Sequence, residues 1–501
     1  MTMGKGPYTG CDLGDVTPLC MPWREEHHHL RPVFSRPAAL LSLELASTAY
    51  DMQTSLWREN GWHDISYLVD KKLFTGPAVN GQTAEGSSEA LADHYQRAAA
   101  SLVHRQNPIS LVRGTLRQRE SSDTCKCVVM AHPAGPGRFV IAIGFMGTGR
   151  RIYDWFSNFR MEREEGMHRG FLQLTQEFES QCSAILFPET ARQLGLPSLT
   201  LADILQACRR PGSPFRIWTA GHSQGGALMQ LFSLREISRG LLRQNLIGYG
   251  FASPSVAYEN PGWDYGSFPL FHIINGDDVT PRVGAKLHIG RCMVYQPDAA
   301  MRAACYGSVL SAPGFRDALR LLALIQGSQG GLMFTMALLQ VLEALPDPDA
   351  SAILGRIAGS LLPDRMLSAL GSRTDQFLRF LTRRVEMTYA RVTEGGEIPA
   401  DLIRLYRDRI AALIRRYGPQ PFIRALLEAM AVPHRLRDDG KRTEGAAAYQ
   451  AIVTRHFSAL KAYPNSAAVP RSAGHPLRGG KAAPACRYRR YSRQRNQRTV
   501  R

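Results

Sequence analysis

Nine cysteines in 501 residues, scattered without paired metal-ligand spacing, are too few to staple a disulfide scaffold. They predict mostly free thiols and a reducing compartment. No charged start followed by an apolar run opens the chain, so no secretory signal is visible and a cytoplasmic setting is expected. Long apolar runs are scarce as well. Leu321–Leu342 has twenty-two residues without a charge, long enough to span a membrane. Its middle, Gln326–Gly331, is polar and Gly-rich, so two short apolar helices about a hinge fit better than a span. Acidic residues are missing from 465–501, where ten Lys or Arg supply more than half of the formal charge of +18. The basic excess is therefore a property of one tail. A disordered, solvated terminus is the expected state of that tail, and no nucleic-acid partner is expected. With 44% hydrophobic and 21% charged residues, the remainder has ordinary globular composition.

Residues 1–35 carry Pro, Gly and charge with little periodicity and read as a loosely ordered leader. Within them His27–His29 form a short run without visible partner ligands, which reads as solvated loop rather than a metal site. A helix is predicted over Pro37–Tyr50, and 76–95 is Gly/Ser-rich loop. From Cys127 onward short apolar runs alternate with helical patterns. Strands are predicted at Cys127–Ala131, Phe139–Phe145, Phe215–Ala220, Leu246–Ala252, Phe271–Asn275 and Leu287–Tyr295. Helices begin at Phe171 and span Ala227–Ile237. Strands alternating with helices imply an α/β domain with a largely parallel sheet over 36–300. No solenoid or propeller period is present. Residues 301–430 change character, with helical patterns following one another and no convincing strand. They read as a large, mostly helical insertion or cover, after which 431–464 returns to the core and 465–501 forms the basic tail. Between Gly355 and Tyr417 twelve Arg stand against seven acids, a surface suited to peripheral contact with anionic lipid.

Gly221-His-Ser-Gln-Gly225 matches the G-x-S-x-G nucleophile elbow, and it sits where the motif has meaning, between a predicted strand and a predicted helix. A sharp strand-to-helix turn exposes the Ser223 hydroxyl, and the helix N-terminus favours developing negative charge. A serine hydroxyl needs a histidine to take its proton and an acid to orient that histidine. Downstream, Phe271–Pro281 is a strand running into a turn with two adjacent acids, Asp277 and Asp278.

Four segments together resemble the class 3 lipases, the fungal-lipase-like branch of the α/β hydrolases. Val140–Thr148 followed by Asp154-Trp155 is similar to the family's strand and oxyanion loop. Met167–Phe171 is similar to its His-x-Gly-Phe segment, Thr219–Gly226 to its elbow, and Asn275–Pro281 to its acid loop. The resemblance covers roughly 125–295 and leaves 301–430 without a counterpart. It implies an α/β-hydrolase fold with Asp278 as the catalytic acid. It also implies an oxyanion hole made by Thr148 and the backbone N–H of Gln224. The histidine is less defined. His434 follows Pro433 in an expected loop before a closing helix, the favoured place. His456, read as helix interior, and His288, in a His-x-Gly strand similar to one in the family, are the alternatives. His475 lies in the basic tail.

The resulting expectation is a serine lipase or esterase acting on lipid esters through Ser223, His434 and Asp278, with no metal or organic cofactor. An acyltransferase with the same triad, or a lapsed hydrolase that binds membrane or nucleic acid through Arg487–Tyr491, are the competing readings.

Overall fold

The computed structural model describes residues 4–20, 24–26, 29–69, 72–75, 125–147, 163–260, 262–282, 284–326, 400–438 and 445–463. The frame is a nine-stranded sheet. In chain order its strands are β1 (His63–Val69), β2 (Lys72–Thr75), β3 (Cys127–Gly135), β4 (Arg138–Phe145) and β5 (Phe215–His222). β6 (Leu246–Phe251), β7 (Leu270–Asn275), β8 (Arg291–Tyr295) and β9 (Lys461–Tyr463) complete it. Their spatial order is β9-β8-β7-β6-β5-β4-β3-β1-β2. β4 to β8 pair parallel, and the strands beyond them on both sides pair antiparallel. The parallel strands run in sequence order, so their carboxyl ends line one edge, where α/β sheets place ligands.

Side chains alternate across the pleat and make two cores. From β4 and β5, Val140, Ala142, Trp218 and Ala220 point to one face, and Phe139, Ile141, Ile143 and Ile217 to the other. The second face is covered by α2 (Arg169–Gln181) and α3 (Gln224–Ser238). The first is covered by α1 (Arg36–Asp51), which Ser35 opens by accepting the Ala38 N–H and which has a proline in its first turn. Trp218 donates its indole N–H to Ser42 of α1 at 2.9 Å, which satisfies a buried polar atom inside this core.

Residues 4–20, read from sequence as loose, pack onto α1. Leu13, Val16 and Leu19 are buried, and Trp62 donates to the Leu13 carbonyl. The buried Glu44 carboxylate of α1 accepts from the Tyr8 and Thr9 backbones. Three apolar residues spaced by three and one buried acid anchor a segment whose average composition is that of a loop. The expected strand Leu287–Tyr295 is shorter, Arg291–Tyr295, because Gly290 takes φ +113° and turns the chain before β8 begins. β1, β2 and β9 have no counterpart among the predicted strands.

Between β8 and β9 come α4 (Ala299–Tyr306), α5 (Phe315–Gln326), α6 (Ala400–Tyr417), α7 (Pro419–His434) and α8 (Ala448–Thr454). The described part of 301–430 is helical, and its buried Phe315, Leu322, Ile410, Phe422 and Leu426 join the core that holds α1. The segment 327–399, with most of Leu321–Leu342, lies outside the described residues, as do the 76–95 stretch and the tail 465–501. Among the described residues no helix is long and apolar enough to cross a membrane.

Candidate active site

Ser223 stands between the end of β5 and the first residue of α3 with φ 55° and ψ −128°. A side chain at positive φ costs about 1–3 kcal/mol and persists only where the surroundings impose it. Here they do. The Ser223 N–H donates to the Phe251 carbonyl of β6 at 2.9 Å, and its own carbonyl accepts from Gly226 at 2.9 Å, starting the helix. The turn is tight enough that a Cβ on Gly225 would fall 2.2 Å from the Phe145 carbonyl oxygen of β4. Only a glycine lets α3 lie this close to the neighbouring strand, which explains the last letter of the motif. The Gln224 N–H belongs to the first helical turn, which has no intrahelical acceptor to satisfy it. Thr148, the other expected oxyanion donor, lies outside the described residues.

Asp278 follows β7, two strands away. It is fully buried. Its Oδ1 accepts the Thr280 N–H at 2.9 Å, a local turn that aims the other oxygen inward. Oδ2 meets His434 Nδ1 at 2.9 Å and accepts the Tyr449 hydroxyl at 2.8 Å. A carboxylate can only accept, so Nδ1 of His434 carries a proton, and in the neutral imidazole the lone pair that a general base requires is then on Nε2. Tyr449, from α8, is completely buried. Desolvation first, and the Asp278 charge second, hold its hydroxyl well above the usual tyrosine range, so it stays a donor. Asp277 is spent elsewhere. Its two oxygens take a forked pair from Arg302 at 2.7 and 2.8 Å, and Tyr306 adds a third bond at 2.9 Å. The adjacent acids thus divide into one that faces His434 and one that ties α4 to the β7 turn.

His434 is the last residue of α7 rather than a loop residue, because Pro433 is accommodated within the last helical turn. The Pro433 carbonyl accepts from the Asn275 side chain at 2.9 Å, which anchors the helix end to β7. The His434 carbonyl faces His222 Nε2 at 2.9 Å, and the two imidazoles lie with centroids 4.5 Å apart. The residue before Ser223 thus touches the residue paired with Asp278, which brings the elbow, the acid turn and the helix end together.

The other histidines are placed elsewhere. His456 is in the turn after α8 rather than inside a helix, and its ring packs on Tyr295. His288 is buried, bonds through Nε2 to the Ser253 carbonyl at 2.7 Å and stacks near His272. Desolvation lowers His288 to about 4 and His272 to about 3, which keeps both neutral. His475 lies outside the described residues. Among the described residues no group of three His, Cys, Asp or Glu side chains is placed to hold a metal ion. Tyr449, Tyr50 and His222 escaped the sequence reading. His222 occupies a variable position of the motif, and Tyr449 lies 171 residues from its carboxylate partner.

A parallel sheet with a strained serine at a strand-to-helix turn and a buried acid–histidine pair at the same edge defines the α/β-hydrolase fold. Residues 142–287 match the family model for Lipase (class 3), a stretch that contains both Ser223 and Asp278. That match falls on the same stretch as the four motifs and makes this segment similar to the class 3 lipases. Solved structures similar to the chain include Rhizomucor miehei triacylglyceride lipase at 21% identity, covering 34% of this chain and 61% of that one with a TM-score of 0.25. Lipase II from Rhizopus niveus matches at 19% identity, 34% and 62% coverage and a TM-score of 0.25. The lipase from Rhizopus microsporus var. chinensis matches at 21%, with 35% and 58% coverage and a TM-score of 0.24. The chain therefore spans less than two thirds of the length of these lipases. No curated protein matches it.

Proposed function

We propose that the protein is a serine lipase or esterase that hydrolyses carboxylic ester bonds of lipids. Ser223 attacks the ester carbonyl, and Nε2 of His434 takes its proton. Asp278 holds the histidine in the required tautomer and stabilises the imidazolium that forms. The carbonyl oxygen gains charge beside the N–H of Gln224 at the start of α3, with Thr148 as the second donor. The imidazolium then protonates the departing alcohol. Water activated by the same histidine cleaves the acyl-enzyme. The observation that carries this reading is the buried Asp278–His434 pair at 2.9 Å, anchored beside an elbow serine held at positive φ. The basic stretch Gly355–Tyr417, of which Ala400–Tyr417 is described and helical, is assigned to peripheral contact with anionic lipid surfaces.

A fluorophosphonate probe tests the nucleophile. It labels the wild-type protein at Ser223 and leaves Ser223→Ala unlabelled. Equal labelling of the two proteins overturns the assignment. A chain-length series of p-nitrophenyl esters, run beside phospholipid vesicles and triacylglycerol emulsions, then ranks the ester classes.

A further inference from the structure

We propose that Tyr50 and His222 are positioning residues for the proton-relay histidine: Tyr50 on α1 fixes the ring of His222, and His222 fixes the backbone of His434 beside the elbow. The inference rests on the reading of Ser223, His434 and Asp278 as the catalytic groups.

The bonds leave one consistent arrangement of protons. The His434 carbonyl oxygen only accepts, so His222 Nε2, 2.9 Å away, is the donor. Neutral imidazole then has an acceptor at Nδ1, and the Tyr50 hydroxyl 2.8 Å from it donates. His222 is buried, and desolvation together with the neighbouring His434 drives its pKa well below the usual histidine range, so the neutral form persists. The chain of donors therefore runs Tyr50 to His222 to the His434 carbonyl.

That carbonyl needs a donor. His434 is the last residue of α7, and the final carbonyls of a helix have no partner within it. His222 supplies one from the residue adjacent to Ser223. The relay histidine is thus held twice, at its ring by Asp278 and at its backbone by the elbow itself. The two imidazoles also contact, and Tyr449 meets the His222 ring edge-on at 6.1 Å. Among the described residues, Tyr50, His434 and Tyr449 are the titratable groups whose rings face His222.

Space for the tyrosine comes from Gly147. A Cβ there would stand 2.2 Å from the Tyr50 hydroxyl and 2.4 Å from the His222 carbonyl oxygen. A side chain at position 147 would therefore collide with the Tyr50–His222 contact. Displacement of a catalytic group by about 1 Å can cost on the order of 10²-fold in rate, so a small loosening at this helix end is measurable.

The test uses the full chain and a soluble ester, p-nitrophenyl butyrate, with wild type, Ser223→Ala, Tyr50→Phe, His222→Gln and His222→Ala. Tyr50→Phe removes one hydroxyl and little else. It is expected to lower kcat about 5–30-fold with KM within twofold, as a misplaced base should. His222→Ala is expected to lose more, and His222→Gln, which keeps a donor, to recover part of that loss. A merely structural role would leave kcat unchanged in Tyr50→Phe, which keeps the ring and removes only the hydroxyl bonded to His222. If His222→Ala fails to fold by circular dichroism, Tyr50→Phe decides. A Tyr50→Phe kcat within twofold of wild type overturns the proposal. Ser223→Ala separates the two levels: if it is inactive while Tyr50→Phe is normal, only the positioning role falls. If Ser223→Ala keeps the wild-type rate, the catalytic reading falls with it.

Discussion

Replacing Asp278 by Asn changes one atom and should nearly abolish turnover. In the native site Oδ1 accepts the Thr280 N–H, and Oδ2 accepts from both His434 Nδ1 and Tyr449. An amide has one acceptor and one donor end. If its oxygen stays on Thr280, its NH₂ faces His434, whose Nδ1 must then become the acceptor. The ring proton moves to Nε2, the atom that has to take the proton of Ser223. If the amide flips, the Thr280 N–H faces an NH₂ group in a buried site, at a cost of about 1–3 kcal/mol in stability. The first arrangement blocks the base, and loss of tautomer control of this kind costs about 10⁴ in kcat. That corresponds to about 5.4 kcal/mol in the activation barrier. Asp277→Asn is the control. It weakens a partly exposed pair with Arg302 and should cost at most about 1 kcal/mol of stability, with kcat within about threefold of wild type. Steady-state hydrolysis of p-nitrophenyl butyrate reads both variants, with thermal unfolding as the check on folding. A folded Asp278→Asn enzyme within tenfold of wild type, or one more active than Asp277→Asn, would refute the reasoning.

Three further outcomes follow from the same contacts. Ser223→Gly should raise the thermal midpoint while removing fluorophosphonate labelling, since glycine relieves a residue at φ 55° worth about 1–3 kcal/mol; an unchanged or lower midpoint counts against strain at the elbow. Tyr449→Phe leaves Asp278 Oδ2 with His434 as its remaining side-chain partner and should lower kcat roughly 3–10-fold, because a net hydrogen bond to a charged group is worth about 1.5–3 kcal/mol and only part of it is felt in the transition state; a rate equal to wild type would show that the tyrosine serves packing alone. His272 and His288, lowered to about 3 and about 4 by burial, are neutral when folded and take up protons when unfolded, so their stability is complete above about pH 6.5 and is lost as pH falls toward 4. Each contributes a slope of about 1.4 kcal/mol per pH unit in that window; denaturant titrations at pH 7, 6 and 5 should show it, His272→Gln should flatten it, and a pH-independent midpoint would refute it.

What was legible in the sequence was local. The elbow announces itself because a turn this tight needs glycine at set spacings: the Cβ clash at Gly225 with a neighbouring strand is the physical content of the motif's last letter. The central strands were visible because strands buried on both faces read as continuous apolar runs. β2 and β9 were missed because edge strands lack that signal, and β1, one strand in from the edge, because His63, Asp64 and Ser66 interrupt its apolar run. Polar Thr9 and apolar Leu13, Val16 and Leu19 are unremarkable in a row, so the order of the N-terminal segment depends on α1 and the sheet to receive them.

Ser223 and the adjacent acids Asp277 and Asp278 could be singled out as candidates from sequence, since each stands in a turn whose neighbours constrain it: Ser223 through its glycines, and Asp278 through the bond from Thr280. The choice between Asp277 and Asp278 came from the family resemblance, and the physical reason for it is tertiary, because Arg302 and Tyr306 of α4 claim the first and leave the second for His434. The position of His434 was likewise only ranked by sequence. A histidine gains its role from what faces its ring and its carbonyl, and the partners of His434, Asp278 after β7 and His222 at the elbow, are both far from it in the chain. His222 and Tyr449 acquire meaning in the same way, through hydrogen bonds that form only when α7 and α8 close against the carboxyl edge of the sheet, and Tyr50 through the bond that the packing of α1 gives it to His222.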